Sequence, residues 1–143
     1  MTQNKIINTM PHPIFIEDGG RNITVEARIL NLTPHAVVIQ DVDGRRVYIP
    51  PSGQVARVES EERMVGTAPL DGVTVPVYAR HLKTITGLPD SDEPCIVSSL
   101  VLEAVRTQQP WRRNVYAPDT GSTAIRDTEG RLVAVRNLIT VQP

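Results

Sequence analysis

The sequence predicts an α+β fold made mainly of antiparallel strands and hairpins, with one helix in a strand-helix-strand crossover near the carboxyl terminus. Three observations lead to this class. Twelve prolines, together with glycines, divide the 143 residues into short apolar segments, which is typical of strands joined by turns. Hairpin turn signals recur along the chain. Only one segment, 99–108, has apolar residues at helical spacing.

Hairpins are expected over 16–25, 39–49 and 125–135. The second and third share the pattern Ile-x-Asp-x-x-Gly-Arg-x-Val, which is typical of a type I turn that runs into a glycine bulge. The first is one residue shorter and has Gly19-Gly20 at its turn.

The rest of the chain adds shorter elements. Strands are expected over 55–58 and 73–79, the latter at a sheet edge because Pro76 lies inside it. Residues 60–63 are expected to form one helical turn. The helix at 99–108, capped by Ser98 or Ser99, lies between apolar strands at 95–97 and 114–117, and the short links favour a parallel crossover.

An internal repeat predicts the domain organisation. Residues 6–18 align with residues 29–41 at an offset of 23, with six identities in thirteen positions. Both copies contain Asn-x-x-Pro-His, ending at His12 and His35. We therefore expect an amino-terminal hairpin extension, 1–28, that duplicates the following unit, and a single α+β domain over 29–143. The repeated corner is interpreted as framework, with Asn31 and His35 kept as secondary site candidates.

Composition excludes some partners. The net charge is −1, with 40% hydrophobic and 22% charged residues, and no run of like charges favours a nucleic-acid partner. No continuous apolar segment predicts a signal peptide or a membrane partner. We expect a protein of the host cytosol, or of the virion if it is structural. The single cysteine, Cys95, lies in an apolar run and is expected to be a buried small hydrophobe.

The crossover provides the best candidate binding site. The carboxyl ends of parallel strands open on one side, beside the amino terminus of the helix between them. Free helix amides there stabilise anions. The sequence thus predicts a small anionic ligand, bound by residues of the helix start and of the turn that follows the next strand: Ser98, Ser99, Asp119, Thr120 and Gly121. The alternative is ordinary helix capping and ordinary turn composition.

Catalytic machinery is not indicated by any motif. Metal-ligand spacing, a nucleophile elbow and phosphate-binding glycine loops do not occur in the sequence. We therefore expect no catalytic residue, no metal and no cofactor, and we favour a non-enzymatic role. A set of Ser98, His81 and Asp119 can be drawn as a triad, but any chain of this size offers such a set.

Two motifs, Leu30-Asn31-Leu32-Thr33-Pro34-His35 and Tyr116-Ala117-Pro118-Asp119-Thr120-Gly121, resemble those of an uncharacterised family of small bacteriophage, plasmid and bacterial proteins. The likeness covers about 29–139. It implies a mobile-element context and brings no established activity. The sequence departs from the family pattern at Ser122, where the family has proline, and in the preceding residues 1–28.

Three functional hypotheses remain open. The first is a small phage-type accessory protein that acts as a binding or interaction module, for a small anionic ligand or a protein partner. The second is a virion structural protein whose amino-terminal arm, 1–28, mediates self-association or assembly with virion proteins. The third is a small hydrolase or transferase that uses Asp119 and a histidine.

Overall fold

Short strands make up most of the fold, as the turn-rich sequence predicts. The computed structural model describes residues 11–141, which contain twelve strands and one helix. The strands are β1 (His12–Asp18), β2 (Arg21–Ala27), β3 (Leu30–Asn31), β4 (Val37–Gln40), β5 (Arg46–Ile49), β6 (Ser60–Thr67), β7 (Pro76–Leu82), β8 (Cys95–Ile96), β9 (Val115–Pro118), β10 (Ile125–Arg126), β11 (Leu132–Ala134) and β12 (Leu138–Thr140). The helix, α1 (Ser99–Gln108), lies between β8 and β9. The predicted α+β class is confirmed.

The first sheet is antiparallel and has the strand order β2-β1-β5-β4. Side chains alternate between its two faces. One face carries Ile14 from β1, Ile39 from β4 and Ile49 from β5, which pack with Ile96 from the second sheet. This contact joins the two sheets through apolar side chains.

The second sheet holds the predicted crossover. Its order is β12-β9-β8-β3, and β8 is parallel to β9 with α1 between them in sequence. Ser98 caps the helix, because its hydroxyl accepts a hydrogen bond from the Val101 backbone N–H at 3.2 Å. The helix buries Val101 and Val105 in the main core, which also contains Leu30 and Val115. The predicted helix, its cap and the parallel crossover are confirmed.

Strand β3 was not predicted. It is only two residues long and pairs in parallel with β8, which follows more than sixty positions later. Backbone hydrogen bonds extend the pairing beyond the strand, from the Leu32 N–H to the Ile96 carbonyl at 2.8 Å. Neither periodicity nor turn chemistry can identify a strand of this length, because distant pairing alone defines it.

The internal repeat has a simple geometry in the first sheet. Strands β1 and β4 both flank β5, and the register puts Phe15 opposite Tyr48 and Tyr48 opposite Val38. Phe15 and Val38 are 23 positions apart, which is the offset of the repeat. The two copies are therefore related by a displacement of two strands across the sheet. The first Asn-x-x-Pro-His corner begins at Asn8, which lies outside the described residues.

The two turns with the shared pattern have the same hydrogen bonds. Asp41 Oδ1 accepts from the backbone N–H groups of Asp43 and Arg45, at 2.9 and 3.0 Å. Asp127 Oδ1 accepts in the same way from the residues two and four positions later, both at 2.9 Å. The backbone N–H of Arg131 is the largest cause that lowers the pKa of Asp127. The pattern thus predicts these turns at the level of single bonds.

The central segment corrects two expectations. The helical turn expected over 60–63 is wrong, because these residues begin β6, which pairs antiparallel with β7. The strand expected over 55–58 is reduced to a bridge, in which the N–H groups of Arg57 and Thr86 each bond to the other's carbonyl at 2.8 Å. Cross-strand pairing decides both outcomes.

Gly87 supports this bridge and gives a test of the packing there. It has a φ of 79°, and a Cβ added to it would overlap the carbonyl oxygen of Val55. Gly72 has a similar φ of 75° and open space around it. We expect Gly72→Ala to lower the free energy of unfolding by about 1 kcal/mol for backbone strain, and Gly87→Ala by about 3 kcal/mol. Urea unfolding measures both, and equal losses would contradict the close approach.

Candidate functional site

The crossover brings the residues of the predicted anion site to one end of the second sheet, where the carboxyl ends of β8 and β9 lie. Ile96 in β8 lies opposite Tyr116 in β9, and the two strands are parallel. Ser98 and Asp119 follow these strands, so they leave the sheet at the same edge. Thr120 also lies beside a pocket of about 190 Å³, which is lined mainly by the start of β4 and by 132–135. The parallel crossover of β8, α1 and β9 accounts for the common position of Ser98 and Asp119 at one end of the sheet.

The carboxylate of Asp119 bonds to its own loop. Its Oδ1 accepts from the Gly121 backbone N–H at 3.0 Å, and its Oδ2 lies 3.4 Å from the Thr123 hydroxyl. Thr123 in turn accepts from the Asn137 side chain at 3.1 Å. The bond to the Gly121 N–H is that of an Asx turn. Together the three bonds explain the Pro-Asp-Thr-Gly motif as loop structure.

The two serines have different roles. The Ser98 hydroxyl is committed to the helix cap, whereas Ser99, the first helical residue, is exposed. No acidic side chain lies in the first turn of the helix. The amino terminus of the helix therefore keeps its positive end open to solvent, while Asp119, which follows the neighbouring parallel strand, carries a negative charge that opposes an anion.

Asn31 is fully buried, and its side chain has a structural role. Its amide group donates to the carbonyls of His35 and Ile49, at 2.8 and 2.9 Å. Its Oδ1 accepts from both the backbone N–H and the hydroxyl of Thr33, at 3.0 and 2.7 Å. Four hydrogen bonds hold the Asn-Leu-Thr-Pro-His corner together. The amide has no capacity left for a ligand.

The backbone carbonyl of His35 accepts a hydrogen bond from the Asn31 amide, while the His35 side chain is exposed. His12 begins β1, and His81 lies in β7. Within residues 11–141, no group of three His, Cys, Asp or Glu side chains is arranged to hold a metal ion. None of the hydrogen bonds of Asp119 in this part of the chain involves a histidine.

Cys95 is buried, as expected, and it is free. Burial raises the pKa of its thiol to about 11. The thiol lies 3.3 Å from the carbonyl of Glu93, to which it donates. The reactive thiolate is therefore disfavoured at neutral pH.

The hairpin of β6 and β7 is the feature that sequence reasoning missed. Its strands form a separate two-stranded sheet, and nearly all of its residues are exposed. Val65 is 64% exposed and Tyr78 is 55% exposed. Large apolar side chains are exposed along the whole hairpin: Met64, Val65, Leu70, Val73, Val75, Val77 and Tyr78. Seven large apolar side chains exposed on one hairpin are unusual for a protein surface.

Both faces of the hairpin carry these side chains. Met64 lies opposite Tyr78 on one face, and Val77 lies on the other because neighbouring residues of a strand alternate. Eight residues in β6 give a strand of roughly 26 Å at about 3.3 Å per residue. The hairpin is thus a long element whose apolar side chains have no core to enter.

The root of the hairpin is fixed to the core. The side-chain amide of Gln108, at the end of α1, donates to the Lys83 carbonyl at 2.8 Å and accepts from the Ile85 N–H at 3.3 Å. Val58 and Ile85 pack against the main core. A hairpin with a fixed root presents its far end in a defined direction.

An open groove of about 700 Å³ lies between this root and the helix. It is lined by residues of the hairpin and of the exposed side of α1: Glu62, Tyr78, Arg80, His81, Leu82, Glu103 and Thr107. The groove combines an aromatic ring with charges of both signs. A partner could therefore make an apolar contact with the ring of Tyr78 and polar contacts with the charged residues around it.

One signal in the sequence could have identified the hairpin. Asp71-Gly72 lies between two apolar runs, and Asp-Gly between apolar runs is a strong short-range hairpin signal. Leu70 and Val73 do pair across this turn. The three consecutive charged residues 61–63 concealed the first strand, since a strand with one buried face alternates apolar and polar residues.

Comparison with protein-family models, with curated proteins and with solved structures found no match for this chain. Among the described residues, no helix has the length and apolar character needed to cross a membrane.

The buried Asn31 amide gives a direct test of the framework role. We expect Asn31→Ala to lower the free energy of unfolding by about 3 kcal/mol, because it leaves the buried carbonyl of Ile49 without its donor. The exposed Thr128→Ala is the control, and its expected effect is within about 0.5 kcal/mol. Urea unfolding followed by circular dichroism measures both. A small effect of Asn31→Ala would contradict the role assigned to this side chain.

Proposed function

We propose that the protein is a small phage-type accessory protein that acts as an interaction module and binds a protein partner through the hairpin of β6 and β7. The observation that carries this proposal is the set of exposed apolar side chains on a hairpin with a fixed root. The phage-type context comes from the sequence resemblance and belongs to the proposal.

The energetics favour a partner for the hairpin. A two-stranded hairpin alone is marginally stable in water, and the side chains of β6 and β7 stay outside the two core clusters. Covering an apolar side chain contributes about 1.5 to 3 kcal/mol before the costs of association. A protein surface that covers Met64 and Tyr78, which lie opposite each other on one face, would therefore contribute to the affinity of a specific complex.

A protein partner is favoured over a small anion. The carboxylate of Asp119 and the hydroxyl of Ser98 already have partners in their own turns. The charge of Asp119 opposes an anion at the same edge. The hairpin has the opposite character, because its apolar side chains lack partners.

The virion assembly hypothesis remains as the alternative, and one observation favours it. The amino-terminal hairpin lies in the first sheet, and its second strand, β2, is the outer edge of that sheet. An edge strand is a site for pairing with another chain. We propose no reaction for this chain.

Photo-crosslinking in the cells that naturally express the protein tests the proposal. A benzophenone amino acid in place of Tyr78 is expected to give a crosslinked adduct with one protein. The matched control carries the same amino acid in place of Val42, which is fully exposed in the turn between β4 and β5. We expect the control to give no such adduct.

A second variant separates a specific partner from adventitious capture. Val65→Lys places a charge within the apolar set, at a position where the fold does not depend on the side chain. It is expected to reduce the Tyr78 adduct at least tenfold. Equal adducts at Tyr78 and Val42, or an adduct that Val65→Lys leaves unchanged, would contradict the proposal.

A further inference from the structure

Strand β2 is an outer edge of the first sheet. Its inner side pairs with β1 over seven residues, from Arg21 opposite Asp18 to Ala27 opposite His12. Within the described residues, no strand pairs with its outer side. Natural edge strands are protected by proline, by bulges or by inward charges. The interior of β2, Asn22 to Glu26, has no proline or bulge, and its core-facing residues are apolar.

The apolar face of the first sheet extends to this edge. Ile23 lies opposite Ile16, and Val25 lies opposite Ile14, which packs against the core cluster. Ile23 and Val25 are still 36% and 39% exposed. A further strand with apolar residues at the matching positions would cover them and continue the core face.

The sequence of β2 itself supplies such a strand. An antiparallel pairing of two β2 strands about a twofold axis at Thr24 puts Ile23 opposite Val25 of the second copy, and Val25 opposite its Ile23. Asn22 then lies opposite Glu26, and Arg21 lies opposite Ala27. Apolar residues meet apolar residues, and no like charges oppose each other. The strand is self-complementary about Thr24.

We propose that two copies of this chain associate through β2 and form one continuous antiparallel sheet of eight strands. The symmetry closes the assembly at two copies, because each copy uses the same edge and no further β2 edge remains. The inference rests on β2 alone and is independent of the partner of the hairpin of β6 and β7.

Sedimentation equilibrium of the full chain tests the dimer. The expected average mass rises from 15.8 kDa towards twice that value as the concentration increases from about 1 to 500 µM. A mass that stays at one chain over this range would overturn the proposal.

Charge-swap variants identify the surface. Thr24→Lys and Thr24→Glu each bring two like charges together at the twofold axis, so each alone is expected to weaken association at least tenfold. An equimolar mixture pairs Lys with Glu and is expected to restore the dimer. Thr128→Lys, in an exposed turn, is the control and should associate like the natural chain. A dimer unaffected by Thr24→Lys, or a mixture that does not restore it, would show that another surface is used.

A crosslink keeps the test decisive if a charged variant does not fold. Thr24→Cys places two thiols close together at the axis, while the natural Cys95 is buried. Mild oxidation is expected to link the copies covalently, whereas Thr128→Cys should not be linked. Absence of a Thr24→Cys link would contradict the proposed register.

Discussion

The side-chain amide of Asn31 is the interaction that the arrangement of the two sheets depends on. Its backbone belongs to β3 in the second sheet, and its amide group donates to the carbonyl of Ile49 at the end of β5 in the first sheet. Because the group is fully buried, its bonds are made away from water, and a missing partner is costly there. Asn31 thus fixes the position of β3 in the second sheet relative to the end of β5 in the first sheet.

This constraint determines what stays outside the core. With the sheets joined at Asn31 and through Ile96, the central strands and α1 bury the apolar residues of the second sheet. The hairpin of β6 and β7 is inserted between the bridge residues Arg57 and Thr86 and leaves the core at that point. Strand β2 is likewise an outer strand, which pairs with β1 on one side only among the described residues. The hairpin of β6 and β7 and the edge of β2, the two surfaces assigned to partners, are therefore exposed because the packing of the core leaves them outside it.

The sequence predicted those parts whose determinants are local. The helix 99–108, its Ser98 cap and the Asp-x-x-Gly-Arg turns depend on residues a few positions apart, and the structure has them as expected. Strand β3 depends on a partner more than sixty residues away, and no local pattern could identify it. The strand that begins at Ser60 pairs across a local turn, but its charged residues concealed it. The repeat predicted equivalent corners, but only the register across β5 shows how the copies are placed.

The same reasoning applies to the candidate sites. Ser98 and Asp119 could be placed together because parallel strand topology is a general rule. The hydrogen bonds of both side chains lie within their own turns, which is the alternative that the sequence left open. The exposed hairpin was missed because exposure results from the whole fold, and the sequence of 60–82 has the apolar content of a buried hairpin.

Native-state hydrogen exchange tests most directly whether the core is more stable than the exposed hairpin of β6 and β7. The amides of Leu32 and Val97, bonded across the parallel strands, are expected to exchange only through global unfolding. The amide of Ala68, bonded to Val75 near the hairpin end, is expected to exchange with a free energy at least about 2 kcal/mol lower. An exchange free energy for Ala68 equal to those of Leu32 and Val97 would contradict the account.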